Sequence, residues 1–406
     1  MKKSTLFPIL LMGVSLSFFS CSDDDPDNNA QGWTFDLLPN DTGTKPTEAQ
    51  MSATVTQYVD HVVLPTYKDL LDKMTAYTAA VDKFVASNSQ NDLSDACSAW
   101  RAARVPWEQS EAFLFGVADL GMYDPSLDSW PLDKNGIDEI IKSGDFSNVD
   151  GEVNEDEDVP TAQAPQNLRG FHTAERMLFD NGDPRKIDQS PFSDNEKKYL
   201  QIVSKHMLKD VTALYNGWDK GLGESPIATS YGDAMKKHDG STYTGLSSVY
   251  QAIETILNGD NGMAGISNEV GTQKIQDPVD KWNGSNKDAS DPNNPGVLAV
   301  ESWYSWNSID DYANNIVSIK NSYFGGRDLD KENASANSLH ALVKVINPTL
   351  DSLMVVQIDK TIEAIEDMPR PFRNNLGAET EIKAATDACK ELTNGLGKIR
   401  AKLSAE

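Results

Sequence analysis

The chain has 406 residues, a formal net charge of −26 and 39% hydrophobic residues. That length favours two domains over one and leaves ample chain for a core; the apolar share is ordinary for a soluble protein. A surface this acidic repels phosphate backbones, which argues against nucleic acid and suits cationic partners.

Read from its start, the chain opens with an export signal. Lys2 and Lys3 supply the positive end, and Leu6 to Phe19 an apolar run too short for a comfortable membrane span. The run ends in Phe18-Phe19-Ser20-Cys21, which resembles a lipobox with Phe where Leu is usual. Residues 1–21 are therefore expected to be a lipoprotein signal peptide, with lipid on Cys21 as a membrane anchor; ordinary cleavage after a small residue is the alternative. Ser22-Asp23-Asp24-Asp25 resembles the acidic tag that sends some Gram-negative lipoproteins to the cell surface, and a solvated linker is its bland counterpart. The expected location is the outer membrane, facing outward, or otherwise the periplasmic face. No other stretch is long and apolar enough to cross a bilayer.

Residues 22–46, rich in Asp, Asn, Gly and Pro, read as a flexible tether. A helical domain is expected over 47–218 and a second over 219–406, joined near Gly217 to Pro226. Thr47-Glu48-Ala49-Gln50 has capping-box spacing, and Val55, Tyr58, Val59, Val62, Leu70, Leu71, Met74, Tyr77, Val81 and Phe84 follow at helical steps. Pro65 is expected to kink or break that helix. A second helix runs from about Leu93 to Phe115, with Arg104, Glu108 and Glu111 along one face; an intrahelical ion pair is the plain reading of that line. Residues 116–134 read as a loop and 144–167 as an acidic, solvated one. Ser193-Asp194-Asn195-Glu196 is another capping box, opening a helix to about Trp218. Helices are expected near 227–238, 244–258, 297–323, 336–366 and 378–402, and no long alternating strand pattern appears. The fold class is all-α: two packed helical-bundle-like domains, of a size that suggests an ancient duplication. Cys97 and Cys389 fit either a disulfide or two small buried thiols. His238 and His340 have no acidic partner at helical spacing.

Inside the first of these domains lies Gly170-Phe171-His172-Thr173-Ala174-Glu175, expected to open a helix over about 167–179. His172 and Glu175 then share one helix face, a turn apart. A neutral imidazole beside a carboxylate makes a metal half-site, or a base with an orienting partner; a surface hydrogen bond is the commoner outcome of such a pair. The H-E-x-x-H of zinc peptidases, the G-x-S-x-G elbow and the phosphate-binding glycine loops are all absent.

The glycine, histidine and glutamate match the G-x-H-x-x-E motif of imelysin-like proteins. Three more stretches match in order: Trp100 to Gly116, Asp128-Ser129-Trp130-Pro131-Leu132-Asp133 with Ile137-Asp138, and Asp311-Tyr312-Ala313-Asn314-Asn315-Ile316 continuing to Asn321, Tyr323 and Gly325. The sequence thus resembles the imelysin-like family, which is linked to insulin-cleaving peptidases and to bacterial iron uptake. The resemblance implies a non-enzymatic binding protein in acquisition of iron, another divalent metal or an iron chelate, with an outer-membrane transport partner. A metallopeptidase and a helical scaffold or adhesion module are the alternatives.

The expected site is a cleft between the halves. His172, Glu175, Glu108 and Glu111 are the expected metal ligands. Arg104, Trp130, Asp133, Asp311 and Asn315 would line the cleft and bind a metal ion or small polar ligand. Oxygen-rich ligation with one imidazole suits iron or a harder cation better than closed zinc.

Overall fold

The computed structural model describes residues 34–39, 43–150, 166–258, 261–291 and 293–404. The lipobox at Cys21, the acidic tag and most of the 144–167 loop lie outside them. The described chain is all-α, with one two-stranded ribbon pairing Phe179–Asp180 with Asp183–Pro184.

Both capping boxes form. The Thr47 hydroxyl accepts the Gln50 amide while the Gln50 side chain accepts the Thr47 amide, which starts the helix Glu48–Tyr58. Ser193 and Glu196 do the same for the helix Asp194–Asp219. The break expected at Pro65 is a π turn over Val59–Val63, after which the helix runs on from Leu64 to Ser87. One wider turn accommodates the missing proline N–H without ending the rod. Pro106 lies near the end of the helix Gln90–Glu108, which stops seven residues short of Phe115 and passes into a 3₁₀ turn over Glu111–Phe113.

The helices Leu64–Ser87, Gln90–Glu108 and Asp194–Asp219 pack together, burying Tyr67, Tyr77, Trp100, Trp107 and Trp218. Beyond them Ser308–Phe324, Pro348–Glu366 and Glu379–Ser404 form a second packed set. The helix Ser308–Phe324 also lies against Gln90–Glu108, and that contact carries the site.

Three expectations change. Residues 116–134 are not one loop but hold two short helices, Val117–Leu120 and Tyr123–Asp128. A helical stretch spans 263–283, where none was expected; a π turn, Val270–Gln276, joins its two α segments. The segment expected to be helical from 297 turns sharply first, with Ser302 and Trp306 at positive φ, and the long helix starts at Ser308. Cys97 and Cys389 are free and buried, and burial pushes both thiols up to about 12, so neither is poised to react. His340, without an acid at helical spacing, instead pairs with Asp351 at 2.8 Å.

Candidate functional site

The His172 helix, Gly170–Leu178, begins with a close approach between two backbones. Gly170 has φ +83°, and a Cβ there would stand 2.3 Å from the carbonyl oxygen of Leu127. Only glycine fits such a position. Its place in the motif therefore has a physical cause: it lets this helix seat against the end of Tyr123–Asp128 and brings His172 beside Asp128. Trp100 Nε1 donates to the Phe171 carbonyl at 3.1 Å and fixes the same turn from the other side.

His172 is 1% exposed and held at both ring nitrogens. Nδ1 meets Glu175 Oε2 at 3.0 Å. The other Glu175 oxygen accepts the backbone N–H and the hydroxyl of Ser305, each at 2.7 Å, so this carboxylate is anchored. Nε2 faces Asp128 Oδ1 at 3.0 Å and Glu301 Oε1 at 3.4 Å. The Trp130 ring stands edge-on to the imidazole, 4.9 Å between centroids.

Arg104 is the hub of the surrounding carboxylates. Its guanidinium is fully buried and pairs with Glu108 and Asp128, with Asp311 at 3.0 Å and with Glu301 at 3.2 Å. Each partner is held from a second direction. Trp107 Nε1 donates to Asp128 at 2.6 Å. Asn315 donates to Glu108 at 2.5 Å, and Ser302 and Asn307 donate to Asp311 at 2.5 and 2.6 Å. Lys274, carried in by the π turn, pairs with Glu301 at 2.9 Å.

These pairings set the charges. Burial alone would drive the proton off His172, but Asp128 outweighs it, with Glu175 and Glu301 assisting, and the imidazole pKa stands well above its ordinary value. Burial opposes ionisation of Asp128 too, yet Arg104 and His172 hold that carboxyl well below the usual range. Against the same burial, Lys274 and His172 bring Glu301 down to about 2. Burial wins at Glu108 and Glu111, which are pushed far above the carboxylate range, and at Asp124, pushed up to about 7. The raised imidazole pKa thus favours a positive ring facing Asp128 and Glu301.

That space suits a metal ion. One ligand atom each from Asp128, His172 and Glu301 lie within 4.8 Å of one another, and the same holds for Glu108, Glu111 and Asp128. A ring whose Nδ1 is held by a carboxylate presents Nε2 in the manner of many metal-binding histidines. Asp128 and Glu301 of the first group, and Glu111 and Asp128 of the second, border a cavity of about 620 Å³, where they and Asp124 meet apolar walls from Leu114, Trp130 and Leu298.

The family model for imelysin matches residues 63–399. The chain belongs to the imelysin family. It is 25% identical to iron-regulated protein A of Synechococcus elongatus over 344 residues, covering 82% of this chain and 83% of that one. The crystal structure of a candidate iron-regulated protein A precursor from Parabacteroides distasonis is 68% identical, with a TM-score of 0.88 over 92% of this chain and all of that one. An imelysin-like protein from Psychrobacter arcticum shares the fold at 12% identity, with a TM-score of 0.57 over 90% of this chain and 96% of that one.

Within this imelysin fold most of the residues singled out in the sequence come together. His172, Glu175, Arg104, Glu108 and Asp311 form one bonded network, Asn315 braces Glu108, Trp130 covers His172, and Glu111 faces the cavity. Asp133 is exposed and occupied elsewhere, its carboxylate accepting the Gly136 N–H at 2.9 Å as a helix cap. Glu175 lies on the Nδ1 side of the ring, away from the Asp128–Glu301 space. Asp128, Glu301, Lys274 and Ser305 were not singled out. Asp128 lay inside a matching block and could have been read from it. Glu301 and Lys274 lie outside every motif and owe their place to the turn before Ser308 and to the π turn.

Proposed function

We propose that this protein is a non-enzymatic binding protein of iron acquisition, whose cavity takes a metal cation on His172 Nε2, Asp128 and Glu301. The observation that carries the reading is the approach of these three donors to within 4.8 Å while Glu175 holds the other ring nitrogen at 3.0 Å. Compared with the pairing expected from sequence, this assigns Glu175 to orienting the ring and gives the coordinating oxygens to Asp128 and Glu301. Two oxygens and one imidazole suit iron or another hard divalent cation. The iron-regulated names of two relatives support iron. The cavity also has the size of a small-molecule pocket, with room for an ion that keeps small ligands of its own.

The test is anaerobic equilibrium dialysis against Fe²⁺, with metal content of protein purified from its native host. Wild type should retain iron and His172→Ala should not. Equal retention by the two, or none by wild type, overturns the reading. Cleavage of an unfolded polypeptide that a chelator abolishes would move it to a metallopeptidase. Lipid on Cys21 belongs to the same proposal, since it would hold the protein at the outer face of the outer membrane. Cys21→Ala should shift the protein to the soluble fraction; unchanged membrane attachment refutes the anchor.

A further inference from the structure

Glu111 is a group that this reading leaves unused. Its side chain is 5% exposed and borders the cavity, yet among the described residues its carboxylate meets no hydrogen-bond donor and no ion-pair partner at contact distance. Lys274, which also lines the cavity, pairs with Glu301 at 2.9 Å and Glu269 at 3.9 Å instead. Glu108 stands close by, held by Arg104 and Asn315. One oxygen each from Glu108, Glu111 and Asp128 lie within 4.8 Å of one another. Asp128 therefore belongs to two groups of donors, this one and the group containing His172.

We propose that Glu111, Glu108 and Asp128 hold a second divalent cation, so that the cavity takes a pair of hard metal ions with Asp128 common to both. The inference rests on the first position proposed above and extends it. The charges favour two ions over one. Around Arg104 and Lys274 the buried carboxylates outnumber the fixed cations, and Glu111, unlike Glu108, has no cation at contact distance among the described residues. An all-oxygen position of this kind selects Mn²⁺, Fe²⁺ or Mg²⁺ over thiophilic metals.

Mn²⁺ is the probe, because an isolated ion and an exchange-coupled pair give different electron paramagnetic resonance spectra. Wild type should bind two equivalents by equilibrium dialysis and show the coupled spectrum. Glu111→Gln, which keeps the side-chain shape, should bind one equivalent and show an isolated ion. One equivalent in wild type, or two that persist in Glu111→Gln, overturns the second position and leaves the first standing. No bound Mn²⁺ and no bound Fe²⁺ in wild type removes both. Should Glu111→Gln lose its helical circular dichroism, the wild-type stoichiometry and spectrum decide alone.

Discussion

Arg104 ties together carboxylates that would otherwise repel one another. It is fully buried and faces Glu108, Asp128, Glu301 and Asp311. Removing one member of a buried ion network typically costs about 3–5 kcal/mol, because the partners stay buried without it. Arg104→Ala should lose at least that much in chemical denaturation; a loss below about 1 kcal/mol, the scale of an exposed pair, would mean that water screens the cluster. His172 gives a prediction of opposite character. Its folded pKa lies above the ordinary imidazole value of about 6.5. The stability from its charged, paired form is complete below that value and is lost as pH rises through the folded one. Asp124, raised to about 7, acts in the same direction, since its buried neutral form is favoured until it must ionise. Glu301, lowered to about 2, works the other way, but only in acid. The melting temperature of the ion-free protein should therefore fall between pH 6 and pH 8, and His172→Gln should flatten the fall. Metal affinity should rise over the same range by about tenfold per pH unit, one proton leaving for each ion bound. A flat melting profile in wild type would show that His172 is already neutral at pH 6. The i,i+4 pairing of Arg104 with Glu108 was legible in the sequence because helical spacing alone creates it. Its bonds to Glu301 and Asp311 bridge about two hundred residues, and no spacing rule reaches that far.

At the scale of elements, the readable features were those with local causes. Both capping boxes, the apolar periodicity of Leu64–Ser87 and the extent of Asp194–Asp219 follow from neighbouring residues. The misread features depend on distant packing. Over 263–283, Gly271 and Pro278 sit inside a helical rod, because a π turn accommodates the crowding and Gly271 lies against Cys389. That same turn delivers Lys274 to the cavity, in keeping with the frequent placement of π turns at functional sites. Gly170 joins the two classes: its motif was visible, but the reason for it is the Leu127 carbonyl 2.3 Å from where a Cβ would be. Gly170→Ala should cost about 2–4 kcal/mol, combining strain at positive φ with displacement of the Tyr123–Asp128 helix. It should also weaken metal binding although no donor is altered. A variant that melts and binds like wild type would show that the two backbones separate freely.

On the scale of the whole molecule, the site gathers donors from residues far apart in the chain: Asp128, His172 and Glu301 for the proposed ion, with Arg104 and Asp311 behind them. An ion there links the helices Tyr123–Asp128 and Gly170–Leu178 to the turn before Ser308–Phe324, the helix that meets Gln90–Glu108 where the two packed sets join. Local spacing explains each set separately, and the buried charges at their contact were visible only as isolated letters. If the ion binds the folded state alone, its effect on stability follows from mass action. At a free concentration one hundred times Kd the gain is about 2.7 kcal/mol. Unfolding a chain of this length carries an entropy of the order of 0.8 kcal/mol per degree, so the shift in melting temperature should be about 3 °C. The gain should appear as one cooperative transition moving upward, and hydrogen exchange should slow together around Asp128, His172 and Glu301. His172→Ala should abolish the shift while still unfolding in one step. Protection confined to the Gly170–Leu178 helix, with exchange near Glu301 unchanged, would show that the ion does not join the two sets of helices.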